Sequence, residues 1–200
     1  MLLTHDSYEK DFNKHYQKSI KSPEKFWEEQ SEMLSWDKKF KKVLTGDLKQ
    51  GDVKWFEGGK LNACYNCIDR HLDDHGDKTA IIWEGEDNKK NRKITFLELH
   101  KGVCKFANLL KSRGIKKGDR ICIYLPMIPE AVMAMLACAR IGVVHSVIFG
   151  GFSAESIKTR VLDSDCCAVI TADSSVRNGN VTNFKENIDK ALVDCPNVKT

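Results

Sequence analysis

Two hundred residues, 42% hydrophobic and 30% charged, have the balance of an ordinary globular chain, which excludes collagenous, low-complexity and membrane classes. Lys+Arg 32 against Asp+Glu 28 leaves +4, too even for a dedicated nucleic-acid binder with its basic stripe. No apolar run reaches the roughly 18 residues of a spanning helix, Met1-Leu2-Leu3 passes at once into His5, Asp6 and Glu9, and the first arginine is Arg70, so neither a signal core nor an Arg-rich transit peptide is expected.

Residues 1–60 stand apart from the rest. They hold three of the four tryptophans (Trp27, Trp36, Trp55), twelve lysines and no arginine, with little strand-like alternation. Ser22-Pro23-Glu24 reads as a helix start, with Ser as cap, Pro in the first turn and Glu at the positive end of the dipole. Phe26, Trp27, Gln30, Met33 and Leu34 then form an apolar stripe, with Glu28, Glu29 and Glu32 turned outward. One amphipathic helix cannot bury these aromatics alone, so the arm is expected to lay them on a larger body.

Cys64-x-x-Cys67-x3-His71-x3-His75 has the residue types of a zinc site. Residues 62–75, however, read as one helix capped by Asn62, which strings the four side chains along roughly 16 Å of a single rod. Four ligands on one rod cannot close a tetrahedron with bonds of about 2.0–2.3 Å, and no metal site is expected. Cys104, Cys122, Cys138, Cys166 and Cys167 sit in apolar segments and read as small buried hydrophobes. Without a secretory signal the eight cysteines are expected to be reduced and the chain cytoplasmic. The sequon Asn180-Val181-Thr182 is then silent.

From Thr79 the pattern becomes regular. Residues 79–84 and 92–95 predict two strands around a polar loop, 85–91. Thr95-Phe-Leu-Glu98 is a capping box opening a helix with Leu99, Val103, Phe106, Ala107 and Leu110 on one face, stopped by Gly114. Residues 119–125 predict a buried strand ended by Pro126. Pro129-Glu130 starts a helix apolar nearly all round, buried between layers and ended by Gly142. Residues 143–149 predict a strand, 154–163 a helix and 167–171 another strand. A polar loop over 172–180 and a last helix over 181–193 follow. Apolar strands alternating with helices predict a mostly parallel sheet with right-handed crossovers, in three repeats from about residue 95.

In such sheets ligands sit beyond the carboxyl ends of the strands, near helix N-termini. Two loops there stand out. Gly150-Gly151, just after the strand, lets backbone come close to a ligand, and Ser153 caps the next helix, although a lone Gly pair is more often a tight turn. Arg177, in the loop Arg177-Asn178-Gly179-Asn180, can stack on a base or fork a phosphate; by spacing alone it is equally a solvated surface residue. Neither GxGxxG nor GxxxxGK[ST] occurs. No nucleophile–base pair is legible, since His145 lies mid-strand, and no catalytic residue is assigned.

Taken together, certain blocks resemble the N-terminal part of the AMP-forming acetate–CoA ligases, the acetyl-coenzyme A synthetases. They include Trp55-Phe56, Asn66-Cys67-Ile68-Asp69-Arg70-His71-Leu72, Lys117-Gly118-Asp119-Arg120 and Tyr124-Leu-Pro-Met-Ile-Pro-Glu130. Ala134 to Gly142, His145 to Ser153 and Val169-Ile-Thr-Ala-Asp173 continue the match, while Pro23-Glu24-x-Phe26-Trp27 fits the arm of that group. The resemblance runs from about Tyr8 to the end. It implies two half-reactions: acetate and ATP give acetyl-AMP and pyrophosphate, and the CoA thiol then displaces AMP. It also implies Mg2+ with the ATP, at a site not in this chain. The ATP loop, the acyl pocket and the mobile C-terminal domain of that family lie downstream.

What falls within these residues, by resemblance, is part of a CoA nucleotide site. Phe149, Gly150 and Gly151 match the strand end beside the CoA adenine, and Arg177 with Asn178, Gly179 and Asn180 matches a short loop packed on that nucleotide. The family usually carries a second basic residue three positions after that Arg, near the CoA 3′-phosphate. Asn180 stands there instead and forgoes a charge-assisted contact of about 1.5–3 kcal/mol; Lys185 is a candidate to compensate.

The expected architecture is α/β. A helical arm over residues 1–60 precedes the first, incomplete portion of the large domain of an adenylate-forming enzyme over 61–200, a mostly parallel-sheet lobe with flanking helices. Its partners are expected to be acetate, ATP, CoA and the remainder of its own chain, with no nucleic acid and no membrane. Alone, the 200 residues are expected to be inactive. A propionate-preferring relative and a stand-alone nucleotide-binding or interaction module are the alternatives.

Overall fold

The chain bends first at Ser22-Pro23, because proline has no amide proton to continue a helix. In the computed structural model, which describes residues 5–86 and 90–200, α1 (His5–Lys21) ends there and α2 (Pro23–Ser31) begins. The opening Met1–Leu3 and the centre of the 85–91 loop lie outside the described residues. The chain divides into two compact units, one ending at Leu61 and the other spanning Asn62–Thr200.

In the first unit, Ser22 stands at the N-cap of α2 without a side-chain hydrogen bond. The helix stops at Ser31, so Met33 and Leu34 fall beyond it and are exposed, contrary to the stripe expected from spacing. The arm is also not purely helical. β1 (Lys42–Thr45) and β2 (Lys54–Glu57) form an antiparallel hairpin, with Leu44 opposite Trp55. This hairpin gives the aromatics a partner within the unit: Trp27 meets Trp55 edge-on at 6.0 Å, and Trp36, Phe40 and Phe56 cluster at 4.9–5.5 Å. Gly59 permits that cluster, since a Cβ there would lie 2.7 Å from Trp36 Cζ3.

The second unit begins with α3 (Ala63–Cys67), a 3-10 turn over Asp69–His71, and α4 (Leu72–His75). The single rod expected over 62–75 is therefore broken. Ile68, fully buried, takes φ −126°, ψ −66°, and the kink turns Cys64 and Ile68 into one core. Asn62 caps α3 as expected, accepting from the Tyr65 amide at 3.1 Å. The zinc argument from a straight rod falls with the rod. His71 Nε2 faces the Asn66 carbonyl at 3.1 Å, and no three His, Cys, Asp or Glu side chains are placed to hold a metal among the described residues.

β3 (Thr79–Trp83) and β4 (Arg92–Thr95) pair antiparallel. The capping box is formed: Thr95 Oγ1 accepts from the Glu98 amide and Glu98 from the Thr95 amide, opening α5 (Phe96–Ser112). Then follow β5 (Arg120–Tyr124), α6 (Pro129–Ile141), β6 (Val144–Val147), α7 (Ala154–Asp163) and β7 (Ala168–Thr171). The three strands form a parallel sheet in the order β6-β5-β7. Every residue of α6 is at least half-buried, as its all-round apolarity demands. β6, in contrast, is an edge strand shorter than the expected 143–149, and Val144 and Val147 are exposed.

β5 divides two cores by its alternation. Ile121 and Ile123 pack with Leu99, Val103 and Ala107 of α5 and Ala134, Ala137 and Cys138 of α6. Cys122 and Tyr124 pack on the other face with Ile157 and Val161 of α7. The expected loop over 172–180 is instead a second hairpin, β8 (Ser175–Arg177) and β9 (Asn180–Thr182), after which α8 (Phe184–Leu192) completes that core. The final residues lie along β7, where the Lys199 amide donates to the Cys167 carbonyl at 2.8 Å. Cys122, Cys138 and Cys166 are buried as expected, whereas Cys104 and Cys167 are half-buried.

Candidate functional site at the carboxyl ends of the parallel strands

Strand β6 delivers Phe149, Gly150 and Gly151 to the carboxyl end of the sheet. Phe149 is 60% exposed, an aromatic face offered to solvent, and stands edge-on to Phe152 at 5.9 Å. Behind it the loop is held rigidly. Tyr124, at the end of β5, donates its hydroxyl to the Gly150 carbonyl at 3.1 Å or the Phe152 carbonyl at 3.3 Å. Asn187 Nδ2 donates to the same hydroxyl at 3.4 Å. The glycine at 150 is required by packing, since a Cβ would lie 2.8 Å from Phe184 Cζ, and Phe184 in turn packs against Tyr124, ring tilted by 37°, at 4.6 Å between centroids. Ser153 caps α7, accepting from the Ser156 amide, and the Arg160 guanidinium lies 5.1 Å over the Phe152 ring.

The second predicted segment is a hairpin tip. Arg177 pairs with Asn180, and the turn residues between them, Asn178 and Gly179, have φ +50° and +75°. Two positive φ values in a two-residue loop make a type I′ turn, which Asn-Gly favours. Arg177 is exposed. The Asn178 amide donates to a Glu86 carboxylate oxygen at 2.5 Å, and Asn180 Nδ2 turns back on the Asn178 carbonyl at 3.4 Å. Lys185 pairs with Asp189 one helical turn away at 2.5 Å, so the candidate substitute for the missing charge is engaged on α8. The structure brings the two predicted segments to the same end of the sheet through Phe184, which begins α8 directly after the hairpin and packs against Gly150.

Spacing did not expose Glu86, Tyr124, Phe184 or Asn187 as parts of this region. Asn-Gly between Val176 and Val181 was the available signal for the hairpin. Gly179→Ala is expected to weaken the hairpin by about 1–2 kcal/mol, because alanine resists a left-handed φ. Asn178→Gly is expected to leave it intact. Amide hydrogen exchange across residues 175–182 separates the two outcomes.

Elsewhere the structure assembles one group that spacing did not show. His100 Nε2 stands 3.3 Å from Asp69 Oδ1 and 3.6 Å from Cys104 Sγ. One nitrogen faces both partners, so the imidazole cannot relay a proton between thiol and carboxylate. Cys104, Asn108, Lys111 and Arg140 line an open recess of about 450 Å³ beside it. This recess lies by the last turn of α6, which precedes β6, and so at the opposite end of the strands from Phe149 and Arg177. His145 is half-buried in β6, and burial holds its pKa below the ordinary histidine value.

A parallel sheet flanked by helices, with a glycine loop and a hairpin tip beyond its strands, has the place where open α/β sheets bind their ligands. A family model described as AMP-binding enzyme matches residues 68–200, and the chain belongs to that family. A second, described as Acetyl-coenzyme A synthetase N-terminus, matches residues 12–67. The chain is 55% identical to the acetyl-coenzyme A synthetase of Alkalilimnicola ehrlichii over 98% of its length, which is 30% of that relative. It is 54% identical to acetyl-coenzyme A synthetase 2 of Pseudomonas aeruginosa over 95%, and 54% identical to the Magnetococcus marinus acetyl-coenzyme A synthetase over 96%. The chain thus spans about 30% of the length of the curated relatives it matches.

Proposed function

We propose that this chain is the N-terminal portion of an AMP-forming acetate–CoA ligase. That enzyme converts acetate, ATP and CoA to acetyl-CoA, AMP and pyrophosphate through acetyl-AMP. The observation that carries the reading is 54–55% identity to proteins named acetyl-coenzyme A synthetase over nearly all of these residues. Residues 1–60 form its arm and 61–200 the first part of its AMP-binding domain. The remainder of the ligase is the partner of this portion, and alone the 200 residues are inactive. No helix among the described residues is long and apolar enough to cross a membrane. Eight unpaired cysteines support a cytoplasmic setting.

In this reading the exposed ring of Phe149, with Gly150 and Gly151, flanks the CoA adenine. Arg177, at the tip formed with Asn178, Gly179 and Asn180, stacks on the base or forks a CoA phosphate. The type I′ turn supports that role because it holds Arg177 at a strand end. With Asn180 in place of a cation, Arg177 carries the positive charge at this tip. Magnesium would screen the phosphates of ATP.

Arg177→Ala in the full-length ligase tests the reading. A lost charge-assisted contact of about 1.5–3 kcal/mol is expected to raise KM for CoA at least ten-fold. Acetate-dependent exchange of pyrophosphate into ATP, which reports the first half-reaction, is expected to stay within about two-fold. Equal loss in both would make Arg177 a structural residue, and absence of acetate-dependent exchange in the unaltered protein would overturn the ligase reading.

A further inference from the structure

The thiols of Cys122 and Cys166, 44 residues apart in sequence, lie Sγ to Sγ at 3.2 Å. Cys122 is the central residue of β5, and Cys166 sits in the turn between α7 and β7. Both are essentially fully buried, at 0% and 1% exposure, and both belong to the core under α7 and α8. The neighbouring Cys167 packs against the opposite core, so its side chain is turned away from the pair. Ser164 Oγ lies 3.1 Å from Cys166 Sγ.

Two further features prepare Cys166 for chemistry. A hydrogen bond from the Cys122 thiol, opposed by burial and helped by Ser164 and the Arg120 charge, holds the Cys166 thiol below the usual range. The same contact, with burial, pushes Cys122 up. The pair is therefore asymmetric, one sulfur inclined to thiolate and the other keeping its proton. A cavity of about 20 Å³ reaches Cys166, lined by Val161, Leu162, Asp165, Cys195 and Val198 among others. That volume accepts one molecule of about the size of water and excludes bulky disulfides such as oxidised glutathione.

We propose that Cys122 and Cys166 form an oxidation site for hydrogen peroxide that closes to a disulfide. The Cys166 thiolate attacks one peroxide oxygen; the S–O bond forms, the O–O bond breaks, and the departing hydroxide takes up the proton that Cys166 released, leaving as water. Cys122 then attacks the sulfenic sulfur. The S–S bond forms, the S–O bond breaks, and the second water leaves with the Cys122 proton. Two thiols lose two electrons and two protons, and one peroxide becomes two waters. The sulfurs must close from 3.2 Å to about 2.05 Å. The resulting bridge ties the α7–β7 turn to the central strand.

The test is peptide mapping of the purified full-length protein after stoichiometric hydrogen peroxide, with free thiols alkylated under denaturing, non-reducing conditions. Trypsin releases Cys122 in residues 121–140 and Cys166 in residues 161–177. The expected result is these two peptides linked, lighter than their sum by two hydrogens, separated by dithiothreitol, with fragmentation placing the link on Cys122 and Cys166. Cys166→Ser is expected to abolish the link and Cys167→Ser to retain it. Recovery of Cys122 and Cys166 as alkylated thiols from the unaltered chain overturns the proposal, whether or not the serine variant folds. A link made through Cys138 or Cys167 overturns it as well.

Discussion

Asp69→Ala is expected to lower the unfolding free energy by about 2–4 kcal/mol. Asp69 sits in the 3-10 turn between α3 and α4, its side chain 17% exposed. It accepts from both terminal nitrogens of Arg140, at 3.0 and 2.5 Å, and faces His100 at 3.3 Å. One carboxylate thereby joins the turn to α5 and α6. Removing one partner of a fully buried pair costs about 3–5 kcal/mol, because the other charge stays desolvated; the residual exposure of this pair brings the figure down. Without Asp69, Arg140 keeps only the Cys64 thiol and the water of the recess it lines, and its Nε is already buried without a hydrogen-bond partner. Urea denaturation checks this as a fall in midpoint at constant slope. The double variant Asp69→Ala/Arg140→Ala is expected to recover part of the loss. A change below about 0.5 kcal/mol in the single variant would mean that water already serves the pair as well as the fold does.

Tyr124 separates stability from loop order. Tyr124→Ala is expected to cost about 3–5 kcal/mol, as for other large buried rings, since Tyr124 has no exposure and packs on the Phe184 ring at 4.6 Å. Tyr124→Phe keeps the ring and removes only the hydroxyl, which serves the Gly150 and Phe152 carbonyls. Its expected cost is about 1 kcal/mol. The informative readout is local. In Tyr124→Phe the amides of Gly151 and Phe152 are expected to exchange faster while those of β5 and β7 keep their protection. Uniform acceleration across the sheet would instead assign the hydroxyl to global packing.

Much of the α/β portion was legible because local signals agreed with one another there. Thr95 with Glu98, Pro129 with Gly142 and the apolar run of β5 each mark an end or a face, and helix and strand periods alternate cleanly between them. The arm was less legible. Strands of four residues such as Lys42–Thr45 and Lys54–Glu57 carry too few alternations to stand out against twelve lysines, and the pairing of Trp27 with Trp55 is a tertiary fact. The second hairpin was hidden by polarity, because its two strands have three residues each and only Val176 and Val181 alternate. Of the candidate site, spacing identified Gly150-Gly151 and Arg177 as separate loops. It could not show that Phe184 joins them, nor that Glu86, 92 positions before Asn178, meets the hairpin tip.

β5 has one further consequence. Its odd-numbered isoleucines and its even-numbered Cys122 and Tyr124 serve different interiors, so a single strand is the party wall between them. A volume change under α5 and α6 reaches Phe149 and the hairpin chiefly through the backbone of that wall. Substitutions in the two interiors should therefore interact only where they shift that backbone, and otherwise combine additively. Evolution could then refit the chamber behind the ligand-facing loops and leave the chamber that holds the unit together unaltered.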